Sequence, residues 1–600
     1  MSKSNPALHT SDSSVSSSAP ETNPPAKRKY KWQFKDENSP KQIYNWTLYY
    51  CSFIFGILGA SRGLDEGSVS GLLYQESFLT SPYFGFADPN KSENDLANLE
   101  SLIASMVQLG SIGGALISMY SVDKLGRVNA LRLVCIIQIV GAVLQITAKS
   151  IGQLYAGRLI EGLGVGQTVA IGPIYLAEIA PPNIRGFIVG IFSGAVYFAV
   201  MISYAANYCT AKYMDGSSNK QWQIPLSVKV MYNGLVAIGT LWVIESPRWL
   251  LKVGKDERAI KNLCRLRHLT PDDPYIEGEI EDIRVQVDDE KRSVAGYSFL
   301  VKIKDLVTTP SLLYRLVFIS CMAHFLGQWS GALSITIYAP RLFLLVTGTQ
   351  GLENMRNTLL LGCVKFVSSY MTSFFLIDTI GRKRCLCIGI SLQALCVLYF
   401  AIFVNIVPVQ DSNYEFSHSE YHAAQAAIAA LFLASVGWTI GMNSFQYIVG
   451  AEIFPLKYRS LAQSIVMVVH FANQFGNSKA IPHMLITMHN YGTFYFMFGI
   501  NVVSLMWAVF CVPEVKGKSL ESIEDVFKLP WYAVGLKGGK VADRSAIHRV
   551  THNEIHDADD DGDIEVVSSN DLEKGGSVEY IEDNEKDRAV AHVQDKNSRV

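Results

Sequence analysis

The 600-residue sequence has almost no net charge, and it lacks the residue patterns of most enzymes and metal proteins. Its 52 Lys and Arg residues nearly balance 54 Asp and Glu residues, so charge points to no class of partner and we expect no nucleic acid. Ten cysteines are scattered, and Cys385 and Cys387 have no second pair of ligands. No paired carboxylates, nucleophile elbow or metal cluster stands out, so we expect no enzyme activity, metal or cofactor.

The sequence also lacks a signal peptide, but it is rich in long apolar runs. Residues 1–43 are rich in Ser, Pro and Lys and contain no apolar core for a signal. The apolar runs beyond them can cross a bilayer, which takes about 20 residues at helical rise. We predict twelve spans, at roughly 44–74, 99–121, 129–148, 152–177, 186–208, 226–245, 312–345, 355–377, 384–405, 421–452, 460–486 and 492–511.

The loops between these spans alternate in charge along the chain. One set is basic and includes Lys124, Arg248 and Arg382, whereas loops 75–98 and 409–420 of the other set carry several acids. By the positive-inside rule, the basic loops and both termini are expected to be cytoplasmic. We therefore expect a multi-pass protein, and we take the plasma membrane as its location.

A short motif repeats once in equivalent surroundings. Asp123-Lys-Leu-Gly-Arg127 recurs as Asp378-Thr-Ile-Gly-Arg382, each copy in a short basic loop between two apolar runs. This repeat predicts an all-α membrane protein with two pseudo-symmetric six-helix bundles, and it makes solute transport the leading hypothesis. The predicted organisation is a disordered cytoplasmic tail, a bundle, a cytoplasmic helical linker, a second bundle and an acidic, largely disordered cytoplasmic tail, at 1–43, 44–245, 246–311, 312–511 and 512–600.

Arg158 is a charged residue inside the predicted fourth span, where a charge is costly and usually has a partner. Asp65, in the second half of the first span, is the candidate partner. A buried acid paired with arginine suits proton coupling, because protonation breaks the pair and deprotonation restores it. The alternative is a permanent salt bridge that only holds the two helices together.

Several longer motifs resemble the sugar porter family of the major facilitator superfamily, and its fungal members most of all. They follow the family order over about residues 50–527, at Gly63–Gly71, Gly157–Arg158, Pro173–Gly186, Glu245–Leu250, Tyr338–Pro340, Glu452–Arg459 and Pro513–Phe527. The resemblance implies two six-helix bundles around a central cavity, alternating access and a sugar or polyol as substrate. We expect the carrier to act as a monomer.

The resemblance also implies charged gates at the cytoplasmic ends of the helices. The first gate would consist of Asp123, Arg127, Glu178, Arg185, Glu245 and Arg248, and its counterpart of Asp378, Arg382, Glu452 and Arg459. Partly exposed ion pairs contribute only about 0–1 kcal/mol each, so such a network can form and separate in every cycle. A role in helix orientation and loop anchoring is the alternative.

The cavity is where the sequence departs from the family pattern. Arg62 replaces an aromatic residue, the eighth span gains Lys365, and one of the family's two seventh-span glutamines remains as Gln328. The substrate-binding candidates at the aligned positions are Arg62, Ser193, Gln328, Trp329, Leu333, Tyr338, Lys365, Asn443, Tyr447, His470 and Phe471.

Several of these replacements remove hydrogen-bonding groups that a hexose would use, while Arg62 and Lys365 add cations beside Arg158. Proton-coupled transport of a sugar or polyol remains the first hypothesis, because the coupling pair and both gate motifs persist. An anionic polyol or sugar acid is a further possibility, unless Glu66 or Glu161 neutralises the cations and leaves a neutral polyol site. Two more hypotheses are a facilitator and a transporter-like nutrient sensor.

Overall fold

The computed structural model describes residues 40–181, 184–294, 299–348, 351–407, 416–443, 445–446, 453–514, 523 and 526–540. Within these ranges all regular secondary structure is helical. Ten helices are long and apolar enough to cross a membrane, namely Glu93–Leu125, Arg127–Ile146, Ile151–Ile179, Phe187–Tyr213, Lys220–Trp242, Pro310–Trp329, Leu352–Leu376, Arg382–Ile406, His418–Asn443 and Tyr491–Phe510. They are the second to tenth spans and the twelfth.

The first and eleventh spans complete the predicted set of twelve. The first is divided into Trp46–Gly56 and Gly59–Leu72, with a turn at residues 57–58 between them. The eleventh is a single helix, Leu456–Thr487, whose many polar residues lower its mean hydropathy. The prediction of an all-α protein with twelve spans is confirmed.

The seventh span is not one continuous helix, although the apolar run at 312–345 suggested one. Its first part, Pro310–Trp329, is followed by Ala332–Ile337 and Ala339–Thr347. Gly331 has a φ of +100°, a conformation that side chains disfavour, and it interrupts the helix. Pro340 then lies in the first turn of the last piece, where its missing N–H is not needed.

The sixth span begins earlier than its apolar run indicated. We predicted 226–245, whereas the helix itself covers Lys220–Gly239. Gln221 and Trp222 in its first turns are buried inside the protein, so this end of the helix is stabilised by packing and not by apolar character.

Glycines allow the spans of the first half to pack backbone to backbone. A Cβ on Gly63 would lie 1.9 Å from the carbonyl oxygen of Val196 in the fifth span. A Cβ on Gly162 in the fourth span would lie 2.1 Å from the carbonyl oxygen of Val107 in the second. Small residues such as Gly162 therefore permit close helix approach in the first half.

The polar central segment folds into short helices. Asp256–Arg267 and Pro274–Val294 are the two longest. Arg267 joins them through a 2.5 Å ion pair with Glu279, and its Nη1 donates to the carbonyl of Ile179 at the end of the fourth span. The linker is therefore anchored to the first half.

The two halves touch at both ends of the molecule. At the end that carries the repeated loops, called the basic end below, Phe187 stacks on Phe374 with ring centroids 4.8 Å apart. At the opposite end, Arg341 of the second half forms a 2.9 Å ion pair with Glu100 of the first. Contacts at both ends enclose the polar centre between the halves.

Candidate functional site

Four charged side chains form a buried cluster in the centre of the first half. Arg158 donates from Nη1 and Nη2 to the two carboxylate oxygens of Asp65, at 3.2 and 3.3 Å. Lys229 Nζ lies 2.7 Å from Asp65 Oδ1 and 3.1 Å from Glu161 Oε2. We call Asp65, Arg158, Glu161 and Lys229 the coupling cluster.

The coupling cluster joins the first, fourth and sixth spans. Its side chains are only 1–3% exposed, and its two acids balance its two cations. Gln145 of the third span adds a 2.5 Å hydrogen bond to Glu161. Buried ions of this kind are tolerated only when they are paired and hydrogen-bonded. Protonation of Asp65 would leave its two cations without their shared acid, so a proton bound there would force the cluster to rearrange.

Sequence reasoning brought Asp65 and Arg158 together but missed Lys229. The run from Val228 to Ile244 was interpreted as simply apolar, although it contains this lone lysine. A cation inside a membrane span is itself a sign of function, and that signal was available.

A narrow cavity lies between the two halves beside the coupling cluster. Its water-accessible volume is about 10 Å³, and its lining consists of Arg62, Asp65, Glu66, Val107, Gln108, Ser111, Val165, Phe471 and Gln474. Arg62 Nε donates to Glu66 Oε1 at 2.8 Å, and Gln474 of the eleventh span donates to the same oxygen at 3.0 Å. Of the predicted substrate-binding residues, Arg62 and Phe471 line this cavity.

A pair of histidines continues from Arg62 into the second half. Arg62 Nη1 lies 3.2 Å from His470 Nε2, and His470 Nδ1 lies 2.9 Å from His324 Nδ1. Arginine can only donate, so His470 Nε2 accepts and its Nδ1 carries the proton that His324 Nδ1 accepts. The side-chain amide of Gln328 lies 3.3 Å from the same His470 Nδ1. The sequence pattern indicated His470 and Gln328 but missed His324.

Lys365 is a buried cation of the eighth span. It is 1% exposed, and its Nζ donates to the Thr336 hydroxyl at 2.5 Å. The Nζ also lies 5.9 Å from the centre of the Tyr197 ring. Among the described residues, no carboxylate lies within ion-pair distance of this ammonium group.

Most other predicted substrate-binding residues contact protein partners in this conformation. Asn443 bridges the halves, accepting from the Tyr197 hydroxyl at 3.1 Å and lying 3.4 Å from the Ser193 hydroxyl. Trp329 lies 3.4 Å from Asn473, and the Tyr338 hydroxyl donates to the carbonyl of Ser478 at 3.0 Å. Leu333 is buried in an apolar cluster, and Tyr447 lies outside the described residues.

The first predicted gate is partly assembled at the basic end. Arg127 forms a two-point contact with Glu178, at 2.7 and 3.0 Å, and lies 3.4 Å from Asp123. Arg248 donates to Gln286 of the linker at 3.2 Å. The side chain of Arg185 lies outside the described part of the structure. The gating role of these residues remains a prediction.

Glu245 has a separate task in this gate. Its carboxylate accepts from the backbone N–H groups of Arg127 and Val128, at 3.0 and 3.1 Å, and so caps the third span. Burial raises the pKa of Glu245, and the backbone hydrogen bonds act in the opposite direction. Gly126 makes this approach possible, because it has a φ of +88° and its Cβ position lies 2.7 Å from the Glu245 carboxylate.

The second repeated loop contains the same cap. Glu514 accepts from the backbone N–H groups of Arg382 and Lys383, both at 3.2 Å, and Gly381 has a φ of +107°. Glu514 was not among the predicted gate residues, although it caps the second repeated loop in the same way as Glu245 caps the first. Glu452 and the side chains of Asp378 and Arg459 lie outside the described part of the structure.

Twelve spans in two halves around a charged centre define a transporter of the major facilitator class. The fold matches that of the xylose transporter XylE from E. coli in its partially occluded inward-open form, with a TM-score of 0.64 at 21% identity, covering 79% of this chain and 100% of that one. XylE bound to 6-bromo-6-deoxy-D-glucose gives a TM-score of 0.66, also at 21% identity, over 80% and 99% of the two chains.

The sequence profile of the family described as "Sugar (and other) transporter" matches residues 51–527, and the chain belongs to this family. It is therefore a secondary-active membrane transporter of the sugar and polyol type and not an enzyme. A probable quinate permease of Aspergillus fumigatus is 32% identical over 499 residues, which are 82% of this chain and 90% of that protein. A quinate permease of Neurospora africana is 30% identical over 504 residues, 82% and 91% of the two chains.

Proposed function

We propose that this chain is a proton-coupled carrier of a carboxylated cyclic polyol, the chemical class to which quinate belongs. Relatives named as quinate permeases align over most of their length and support this substrate class. The cavity has also lost several side chains that would hydrogen-bond the hydroxyl groups of a hexose. Buried polar groups without partners weaken binding strongly, so this loss disfavours a hexose.

The observation that carries the substrate class is Lys365. A buried ammonium group with no described carboxylate within ion-pair distance is costly, and ionisable residues in membrane spans usually mark the path of a substrate or ion. A neutral hexose brings no charge to offset Lys365, whereas a polyol carboxylate does. Arg62, which faces the cavity, supplies a second cation for the same group.

The coupling cluster carries the proposed proton coupling. Asp65 lies at the cavity wall, so a proton can reach it from the space where substrate binds. When Asp65 is protonated, Arg158 and Lys229 lose their shared acid, and the packing of three spans changes with it. This couples protonation to the helix movement that alternating access requires.

The topology follows from the charge pattern. We assign residues 44–245 and 312–511 to the two moving bundles, 246–311 to the linker, and 1–43 and 512–600 to the tails. The basic end faces the cytoplasm by the positive-inside rule, with both termini on that side. We place the carrier in the plasma membrane as a monomer.

A neutral polyol is the second candidate, and one observation favours it. Glu66 pairs with Arg62 at 2.8 Å, and the coupling cluster is balanced by itself, so of the four cations Arg62, Arg158, Lys229 and Lys365 the last alone has no described carboxylate within ion-pair distance. If Lys365 serves packing alone, the cavity carries no net charge for an anion. A facilitator would follow if the coupling cluster stayed paired throughout the cycle.

The substitution Lys365→Met separates the two substrates. In proteoliposomes, we expect it to reduce quinate uptake at least about tenfold and to leave any uptake of the neutral polyol inositol unchanged, because one buried charge partner is lost. Quinate should raise the thermal unfolding temperature of the wild type and not of the variant. Arg356→Met, at an exposed site in the same helix, is the matched control. Equal loss for both substrates would contradict the carboxylate role of Lys365.

A further inference from the structure

We propose that Glu66 occupies, in the empty cavity, the place that the substrate carboxylate takes on binding. The substrate then displaces Glu66 from Arg62, and the displaced Glu66 takes up a proton that is carried with the substrate. This inference rests on the proposed function, because it requires an anionic substrate.

The geometry identifies Arg62 and Glu66 as the ion pair that faces the cavity. Their side chains are 13% and 7% exposed, whereas the side chains of the coupling cluster are 1–3% exposed. Both residues line the space between the halves. A ligand entering this space meets the Arg62–Glu66 pair before it meets any other charge pair described there.

The surroundings of Glu66 resemble a carboxylate-binding site built from both halves. One carboxylate oxygen accepts from Arg62 of the first half and from Gln474 of the second, at 2.8 and 3.0 Å. Lys365 lies within electrostatic range of Glu66. A substrate carboxylate in this position would gain the same donors and would draw the two halves together through them.

The hydrogen-bond chain through His470 fixes the orientation of Arg62. Its Nη1 donates to His470 Nε2, and His470 in turn donates to His324. Arg62 is therefore held from the second half while its Nε is occupied by Glu66. Exchange of one carboxylate for another at Nε requires no movement of the guanidinium group.

Once Arg62 and Lys365 are both engaged by the substrate carboxylate, the displaced Glu66 has no cation of its own, and a buried carboxylate without a cation takes up a proton. Among the described residues, the groups around Glu66 are Arg62 and Asp65 of its own helix, Tyr204 of the fifth span, Lys365 of the eighth and Gln474 of the eleventh, with His470 of the eleventh behind Arg62. Asp65 is already bound by two cations of the coupling cluster. Glu66 is therefore the acid that accepts the proton.

The proton balance follows directly. The empty carrier has ionised Glu66 on Arg62, and the loaded carrier has protonated Glu66 and the substrate anion on Arg62. The proton enters from the solution that delivers the substrate, and it leaves when the substrate departs and the Arg62–Glu66 pair forms again. With a second proton on Asp65, each monovalent anion moves with two protons and one net positive charge.

The test measures protons and charge per quinate molecule in proteoliposomes that contain the full chain. We expect Glu66→Gln to lower the ratio from two protons to one, so that uptake no longer responds to membrane potential but still responds to the pH gradient. Glu353→Gln, at an exposed carboxylate paired with Arg356, is the matched control and should retain both responses.

A second measurement does not depend on transport. Adding quinate to purified protein in weak buffer should change the number of protons bound to the protein. Per bound anion, the wild type should take up one proton more than Glu66→Gln. An unchanged proton count in Glu66→Gln overturns the inference while the proposed function stands. If the wild type neither binds nor carries quinate, the proposed function itself fails.

Discussion

The two membrane halves share a repeated loop but differ in what they bury at their centre. The first half places Asp65, Arg158, Glu161 and Lys229 in one balanced cluster. In the described residues of the second half, the centre contains Lys365 together with histidines and amides such as His470 and Gln474. Under the proposed function, this difference is a division of labour, in which the first half handles the proton and the second half supplies Lys365 and neutral donors to the substrate.

The common feature of the halves is the capped loop. Glu245 and Glu514 hold the two Asp-x-x-Gly-Arg loops by equivalent backbone hydrogen bonds. Since the caps match while the centres do not, we expect the unequal centres, and not the shared loops, to determine what is carried.

The largest expected effect is on protein stability, and it tests whether the charges at the centres of the two halves differ in their need for a partner. Lys229→Met leaves two acids with one cation, and breaking a buried ion pair in this way costs about 3–5 kcal/mol. Lys365→Met removes a cation that has no acid beside it, so we expect the empty protein to become more stable. Thermal unfolding of the two purified variants measures both changes.

A double variant provides the control for Lys229. Lys229→Met combined with Glu161→Gln keeps Asp65 and Arg158 as a balanced pair and should recover most of the lost stability. If the double variant is as unstable as the single one, the loss comes from packing around Lys229 and the coupling cluster is not an electrostatic unit.

The smallest effect concerns the shared caps. Glu245→Gln and Glu514→Gln each weaken one helix cap, and loss of a cap costs about 1 kcal/mol. Because the two caps have the same geometry, we expect similar decreases in unfolding temperature. A large decrease in unfolding temperature for only one variant would show that the two caps contribute unequally to stability.

Much of the architecture could be predicted from sequence, because a bilayer imposes long apolar helices and the repeated loop shows the duplication. The breaks in the first and seventh spans were missed, since local backbone conformations such as that of Gly331 leave little trace in hydropathy. The early start of the sixth span was missed for a related reason, because the polar residue Gln221 is buried by tertiary contacts.

The site was predicted less completely. Asp65 and Arg158 could be paired because each is a rare charge within a span, and Lys229 carries the same signal as a lone cation in the sixth span. The Arg62–His470–His324 chain joins helices that are distant in sequence. Its existence depends on how the halves face each other, which a single sequence does not reveal.

The most direct test of proton-coupled carriage is to follow labelled quinate and external pH together in proteoliposomes that contain the wild type or Asp65→Asn. With an acidic exterior, we predict that the wild type accumulates quinate above its outside concentration while the exterior becomes more alkaline. Asp65→Asn should exchange quinate across the membrane without accumulating it, because asparagine cannot re-form the coupling cluster that lets the empty carrier return, even though Glu66 still takes up its proton. Accumulation that survives in Asp65→Asn, or a wild type that only equilibrates quinate, would contradict the account.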